Sequence, residues 1–152
     1  MLIITNPKGN EIRFFQDQYK IDVDLNDSKD FEITLPSTAW TNDIQNGCRV
    51  FVPGTEYGGV IGNIHISTNE SEVKQGGTTW RGFIKNKIIV PNGDYKVVSG
   101  ELNSIIASLF AEYDLNLFRV STASTGHSVS NYQFNRYTNL YDGLVKMLAS
   151  VD

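Results

Sequence analysis

Apolar and polar residues alternate through most of the first ninety positions, the period of strands with one buried face. Residues 2–5 and 11–15 flank Asn6-Pro7-Lys8-Gly9-Asn10, a run of turn formers, and together predict a hairpin. Tyr19, Ile21, Val23 and Leu25 alternate with Lys20, Asp22 and Asp24. Phe31, Ile33 and Leu35 alternate with Glu32 and Thr34, so residues 26–30 are the turn of a second amphipathic hairpin. Residues 37–44 suit a helical turn, and 48–52 a strand closed by Pro53-Gly54. A long hairpin follows: 60–67 runs out, the polar run 68–72 turns, and 73–81 returns into a short basic turn. Gly76-Gly77 falls in mid-strand, where glycines mark a bulge or a close backbone approach.

The period changes after Pro91. Leu102, Ile105, Ile106, Leu109, Phe110 and Tyr113 follow helical spacing, with Ser99 as the expected cap. Residues 115–121 and 132–137 read as strands around the Ser/Thr/Gly-rich loop 121–130. Thr138 or Asn139 should cap a last helix to about Ala149, with Leu140, Leu144, Val145 and Leu148 on its buried face. The expected fold is mainly β with an α/β extension (α+β). Residues 1–91 form an antiparallel β-barrel or sandwich, and 92–152 a helix–strand–strand–helix segment that reads as an incomplete domain, truncated at its C-terminus.

Composition narrows the function. The 152 residues are enough for a real core, with 8 Phe, 7 Tyr and 2 Trp. A net charge of −4 argues against a protein built to neutralise phosphates. Cys48 is the single cysteine, so no intrachain disulfide framework is expected, and neither a signal peptide nor a membrane span is read from the chain.

Asp22-x-Asp24-x-Asn26 with Asp27 and Asp30 gathers oxygens suited to calcium, but the sixth and twelfth places of an EF-hand loop are Asp27 and Ile33 instead of Gly and Glu. His65 and His127 have no partner at metal-ligand spacing and no nucleophile–base motif. Trp80, Arg81, Lys85 and Lys87 form an aromatic–basic cluster suited to an acidic partner, or simply a buried Trp beside a solvated turn. No catalytic, cofactor-binding or metal-binding residue is assigned.

Several phrases, in order, carry a resemblance. They are LIITNPKGNEIRFF, DFEITLP, NGCRVFV, YGGVIGNI, GTTWRGFIKNKIIVP and QFNRYTNLYDGLVKML. This succession resembles the N-terminal region of siphophage and prophage tail-hub proteins, the tail-associated or baseplate hub proteins at the tip of the tail tube. Thr78 stands where many members carry Arg. The resemblance implies a virion structural protein, not an enzyme, made in the host cytoplasm and located at the tail tip. Its β-barrel would continue the tail tube and adapt it to the tip or fibre apparatus. It implies a homo-oligomer, trimeric at full length although a fragment could be monomeric. Its partners would be the distal tail protein and tail-tip or fibre proteins, with no membrane and no specific nucleic-acid binding. The alternatives are a carbohydrate- or receptor-binding β-module, for which Tyr132, Phe134, Tyr137 and Tyr141 would form a platform, and a peptidoglycan hydrolase.

Overall fold

A computed structural model describes residues 1–66 and 71–151, and the side chains of 63–66 lie outside the described residues. The chain divides into two compact units, Met1–Phe83 and Ile84–Asp152. Pro91, where the sequence changes period, lies inside the second unit.

The first unit holds one antiparallel sheet. Its strands are β1 (Leu2–Thr5), β2 (Glu11–Phe15), β3 (Lys20–Val23), β4 (Asp30–Pro36), β5 (Arg49–Phe51), β6 (Gly58–Ile66) and β7 (Glu72–Thr79). The order across the sheet is β2-β1-β5-β6-β7-β4-β3. The two edge strands, β2 and β3, are consecutive in the chain and joined by residues 16–19 alone. Laid flat, six strand spacings would separate them by about 29 Å. Five Cα steps reach at most about 18 Å. The sheet must therefore be rolled.

Six antiparallel pairings lie between β2 and β3, so both run in the same direction. Residues 11–23 thus act as one bent strand, pairing first with β1 and then with β4. Gln18, at φ 60°, lies in the bend. Bent strands that switch partners are how sheets turn corners. The ladder itself is not a closed barrel, since β2 and β3 share no pairing among the described residues.

The roll encloses one core. Leu2, Ile4, Phe31, Ile33, Leu35, Ile44, Cys48, Val50 and Ile61 are buried together, with Ile12, Phe15, Tyr19, Ile21 and Val23 packed against them. Residues from both ends of the strand order therefore meet, and the Met1 amino group donates to Tyr19 Oη at 3.2 Å.

The turns follow from particular side chains. Asn6 Oδ1 accepts from the amides of Lys8 and Asn10, and Gly9 supplies a φ of 92°. In the β3–β4 turn, Asp24 Oδ1 accepts from the amides of Asn26 and Asp27, and Oδ2 from the amide and hydroxyl of Ser28. The helical turn expected over 37–44 is a single 3-10 turn, Ser37–Ala39.

In the β6–β7 hairpin the bulge lies opposite the glycine pair. Ile61 faces Gly77 and Asn63 faces Gly76, which leaves Gly62 unpaired. Gly77 is a close approach: a Cβ there would sit 2.1 Å from the Val60 carbonyl oxygen and 2.8 Å from the Phe31 ring. The returning strand ends at Thr79 instead of Arg81. Trp80–Lys85 is a helix, α1, because Thr79 Oγ1 accepts from the Gly82 amide and donates to the Lys29 carbonyl.

The second unit contains β8 (Val97–Glu101), α2 (Leu102–Glu112), β9 (Ser128–Gln133) and α3 (Leu140–Leu148), with β8 and β9 forming a two-stranded sheet. The observed order is strand–helix–strand–helix. Ser99 lies in β8, where its hydroxyl accepts from the Asn131 amide, and the cap of α2 is Glu101, which accepts from the Ser104 amide. The strand expected at 115–121 is irregular chain. Asp114 takes φ 55°, the Leu115 amide returns to the Phe110 carbonyl, and Phe118 packs on Phe110 at 5.6 Å between ring centres. The strand expected at 132–137 begins earlier and ends at Gln133.

Asn139 caps α3 as expected, accepting from the Asp142 amide. Its buried stripe is Leu140, Gly143, Leu144 and Met147, while Val145 and Leu148 are exposed by 47% and 39%. The helix is set about one position away from the face expected. Among the described residues, no helix is long and apolar enough to cross a membrane.

Gly77→Ala should lower unfolding stability by about 2–3 kcal/mol, because backbone and the Phe31 ring must both give way. Gly62→Ala, whose Cβ would meet nothing within 4 Å, should change it by less than about 1 kcal/mol. Urea titration of the two variants tests the ordering; equal effects would contradict the close approach.

Candidate functional site

Two surfaces gather chemistry, one on each unit. On the first, the face of β3, β4 and β7 turned away from the core carries an open hollow of about 660 Å3. Asp22, Asp24, Asp30 and Glu32 line it, and Gly62 and Gly76, where a Cβ would meet nothing closer than 3.7 Å, leave it free of bulk. Strand alternation explains the carboxylates: Phe31, Ile33 and Leu35 are buried, so Glu32 faces solvent opposite Asp22. Lys20 pairs with Asp22 at 2.8 Å and Lys74 with Glu32 at 3.5 Å. The hydrogen bond of Lys20 to the Asp22 carboxylate, and that charge, raise the pKa of Lys20.

Asp24, central to the calcium reading, spends both oxygens on the turn. Its pKa is lowered well below the carboxylate range by the amides of Ser28, Asn26 and Asp27. Among the described residues no group of three or more His, Cys, Asp or Glu side chains is placed to hold a metal. The hollow is an acidic, solvated face.

His65 lies in β6 opposite Lys74, but its side chain is among those outside the described residues. His127 is exposed beside the start of β9. Of the aromatic–basic cluster, Trp80, Arg81 and Lys85 lie within α1. Trp80 is only half-buried at the helix start, and Arg81 grips Glu56 Oε2 through Nε at 3.1 Å and Nη2 at 2.7 Å. Lys85 lies in the last turn of α1, and Lys87 follows the helix, its carbonyl accepting from the Leu140 amide.

On the second unit, Tyr132, Phe134, Tyr137 and Tyr141 do not make a shared platform. Phe134 is buried, Tyr132 packs edge-on against it at 5.1 Å, and Tyr141 is half-buried. Burial also raises the Tyr132 pKa. Tyr137 alone of the four is well exposed, at 63%. Its neighbour Arg136 lies 5.8 Å from the Tyr137 ring centre and 5.9 Å from that of Tyr95, itself 48% exposed. Sequence reasoning missed Tyr95 and Arg136. They are 41 positions apart and meet only because the Phe134 amide bonds to the Lys96 carbonyl, extending the β8–β9 register.

A second carboxylate holds the loop that leads into β9. Glu101 Oε1 accepts from the amide and hydroxyl of Thr125, both at 2.7 Å, and Oε2 accepts from the Ser104 amide at 3.0 Å. These bonds, those of Thr125 first, lower its pKa from 4.5 to about 2.

No family model matches the chain, and no curated protein matches it.

Because the folded pKa of Glu101 is depressed, its contribution to stability is present above the unfolded value of 4.5 and fades as pH falls towards about 2. An NMR titration of the Glu101 carboxyl should give a midpoint near 2, and Glu101→Gln should speed amide exchange at Thr125 while leaving β1 unchanged. A midpoint near 4.5 would contradict the clasp.

Proposed function

We propose that this chain is an assembly module of a phage or prophage tail tip, the N-terminal part of a tail-hub protein, and not an enzyme. In this reading the rolled sheet of the first unit continues the tail tube, and the second unit elaborates it towards the tip or fibre apparatus. The observation that carries the reading is the β6–β7 hairpin, the longest strand pair of the sheet, lying near its centre and running directly into α1. That hairpin is built from the phrases YGGVIGNI and GTTWRG, which also carry the sequence resemblance.

Charge supports it. The first unit has 11 acidic and 7 basic residues, a balance of −4, while the second has 6 of each. A tube that conducts DNA works best with walls that do not grip phosphate. The partners on this reading are copies of the same chain, trimeric in the full hub, with the distal tail protein and the tip or fibre proteins. The exposed rings of Tyr95 and Tyr137 favour a second reading, a carbohydrate- or receptor-binding β-module, since aromatic faces suit sugar rings.

Immunogold labelling of phage particles released by the host with antibody to this chain tests the first reading. Gold should cluster at one end of the tail, at the tip. Labelling along the whole tube, or on cell-wall fragments without particles, would contradict it.

A further inference from the structure

Tyr137 is a bulky residue at φ 56°, in the left-handed region that side chains of its size rarely adopt. Backbone held there is strained, and such strain collects where a side chain is presented for a purpose. Here the conformation follows the end of β9 and precedes the cap of α3. It leaves the ring 63% exposed instead of turning it into the core beside Phe134.

Val90 adds apolar surface. The Ile88–Asn139 bridge and the bond from the Ile89 amide to the Thr138 carbonyl set a register that brings Val90 opposite Tyr137, and Val90 is 55% exposed. Between the two tyrosines, Arg136 has no carboxylate within ion-pair distance among the described residues. Its guanidinium lies within cation–π range of both rings, at 5.8 and 5.9 Å from their centres. At that distance the planar edge of the arginine stays free to take a carboxylate with two parallel bonds. Exposed tyrosine and arginine beside an aliphatic residue are the composition of an interface hot spot.

We propose that the Val90–Tyr95–Arg136–Tyr137 surface docks on the acidic hollow of the first unit of a second copy of this chain. The inference rests on the assembly reading above, which supplies the second copy, and charge complementarity selects the face. The first unit carries all of the chain's net negative charge, and four carboxylates line a hollow that Gly62 and Gly76 keep open, outnumbering the two lysines, Lys20 and Lys74, that pair at its rim. The two surfaces differ, so the contact is heterologous: repeated, it closes into a ring or propagates. Glu32 is the reciprocal residue to test, because Asp24 is needed by its own turn and the pair of Glu32 with Lys74, at 3.5 Å and solvent-exposed, competes only weakly.

Sedimentation velocity on the full chain over a concentration series is the experiment. Wild type should self-associate, and Arg136→Glu and Glu32→Arg should each weaken association by about tenfold or more. Mixing these two variants, or joining both changes in one chain, should restore it, because the reversed charges again face each other. A wild type that stays monomeric, or single variants that associate like wild type, would overturn the proposal, as would a mixture that fails to recover while circular dichroism shows both variants folded. Wild-type-like binding of a soluble glycan that Tyr137→Ala abolishes, with association unchanged, would overturn it in favour of a sugar surface. Tail-tip labelling is untouched by any of these results, so the docking surface can fail while the tail reading stands.

Discussion

Residues 16–19 are too few to cross a flat seven-stranded sheet, yet they join its two outermost strands. The chain meets this constraint by running β2 and β3 in one direction as a single bent strand that serves both ends of the ladder. Everything else in the first unit follows from the roll. It brings Leu2 and Ile4 into one core with Phe31, Ile33 and Leu35, and it gives a sheet of short strands an inside. It also limits what the outer face can carry. Phe31 lies against Gly77, where a side chain would collide with both ring and backbone, and Gly62 and Gly76 on the outer face leave the acidic hollow open.

The second unit is organised by polar clasps on short elements. A two-stranded sheet gains little stability alone and needs a covering layer. Here β8 passes into α2 without a loop, and the Glu101 carboxylate caps that helix while holding Thr125 of the long loop. Asn139 plays the corresponding part for α3. The Asn139 cap fixes the far end of the segment that presents Arg136 and Tyr137.

Legibility in the sequence tracked how local each cause was. The hairpin of β1 and β2, the β3–β4 hairpin with its turn, and α3 with its Asn139 cap follow from alternation and turn residues within a few positions. The start of α1 was hidden because Thr78, Thr79 and Trp80 all favour strands, and the cap at Thr79 depends on the distant Lys29 carbonyl. β8 was missed because Val97, Val98 and Ser99 precede a helix that follows at once, and its partner β9 is about thirty residues away. Residues 115–121 alternate like a strand but have no ladder partner among the described residues, and Leu115 and Phe118 fold back on α2 instead. Of the candidate surfaces, the acidic face could be read from period two alone. The Tyr95–Arg136 pairing could not, since it depends on the β8–β9 register.

On the proposal of an assembly module, the acidic exterior of the rolled sheet and the arginine-centred aromatic surface of the second unit are the faces that would meet other copies. That reading stands on the roll. The direct test is a methyl and aromatic NOE spectrum of the folded chain, read for contacts between β1 and β4, strands that a flat sheet would hold about 19 Å apart. Cross-peaks linking Leu2 or Ile4 to Phe31, Ile33 or Leu35 are the result the account predicts. A spectrum in which β1 meets only β2 and β5 side chains, and β4 only those of β3 and β7, would contradict it.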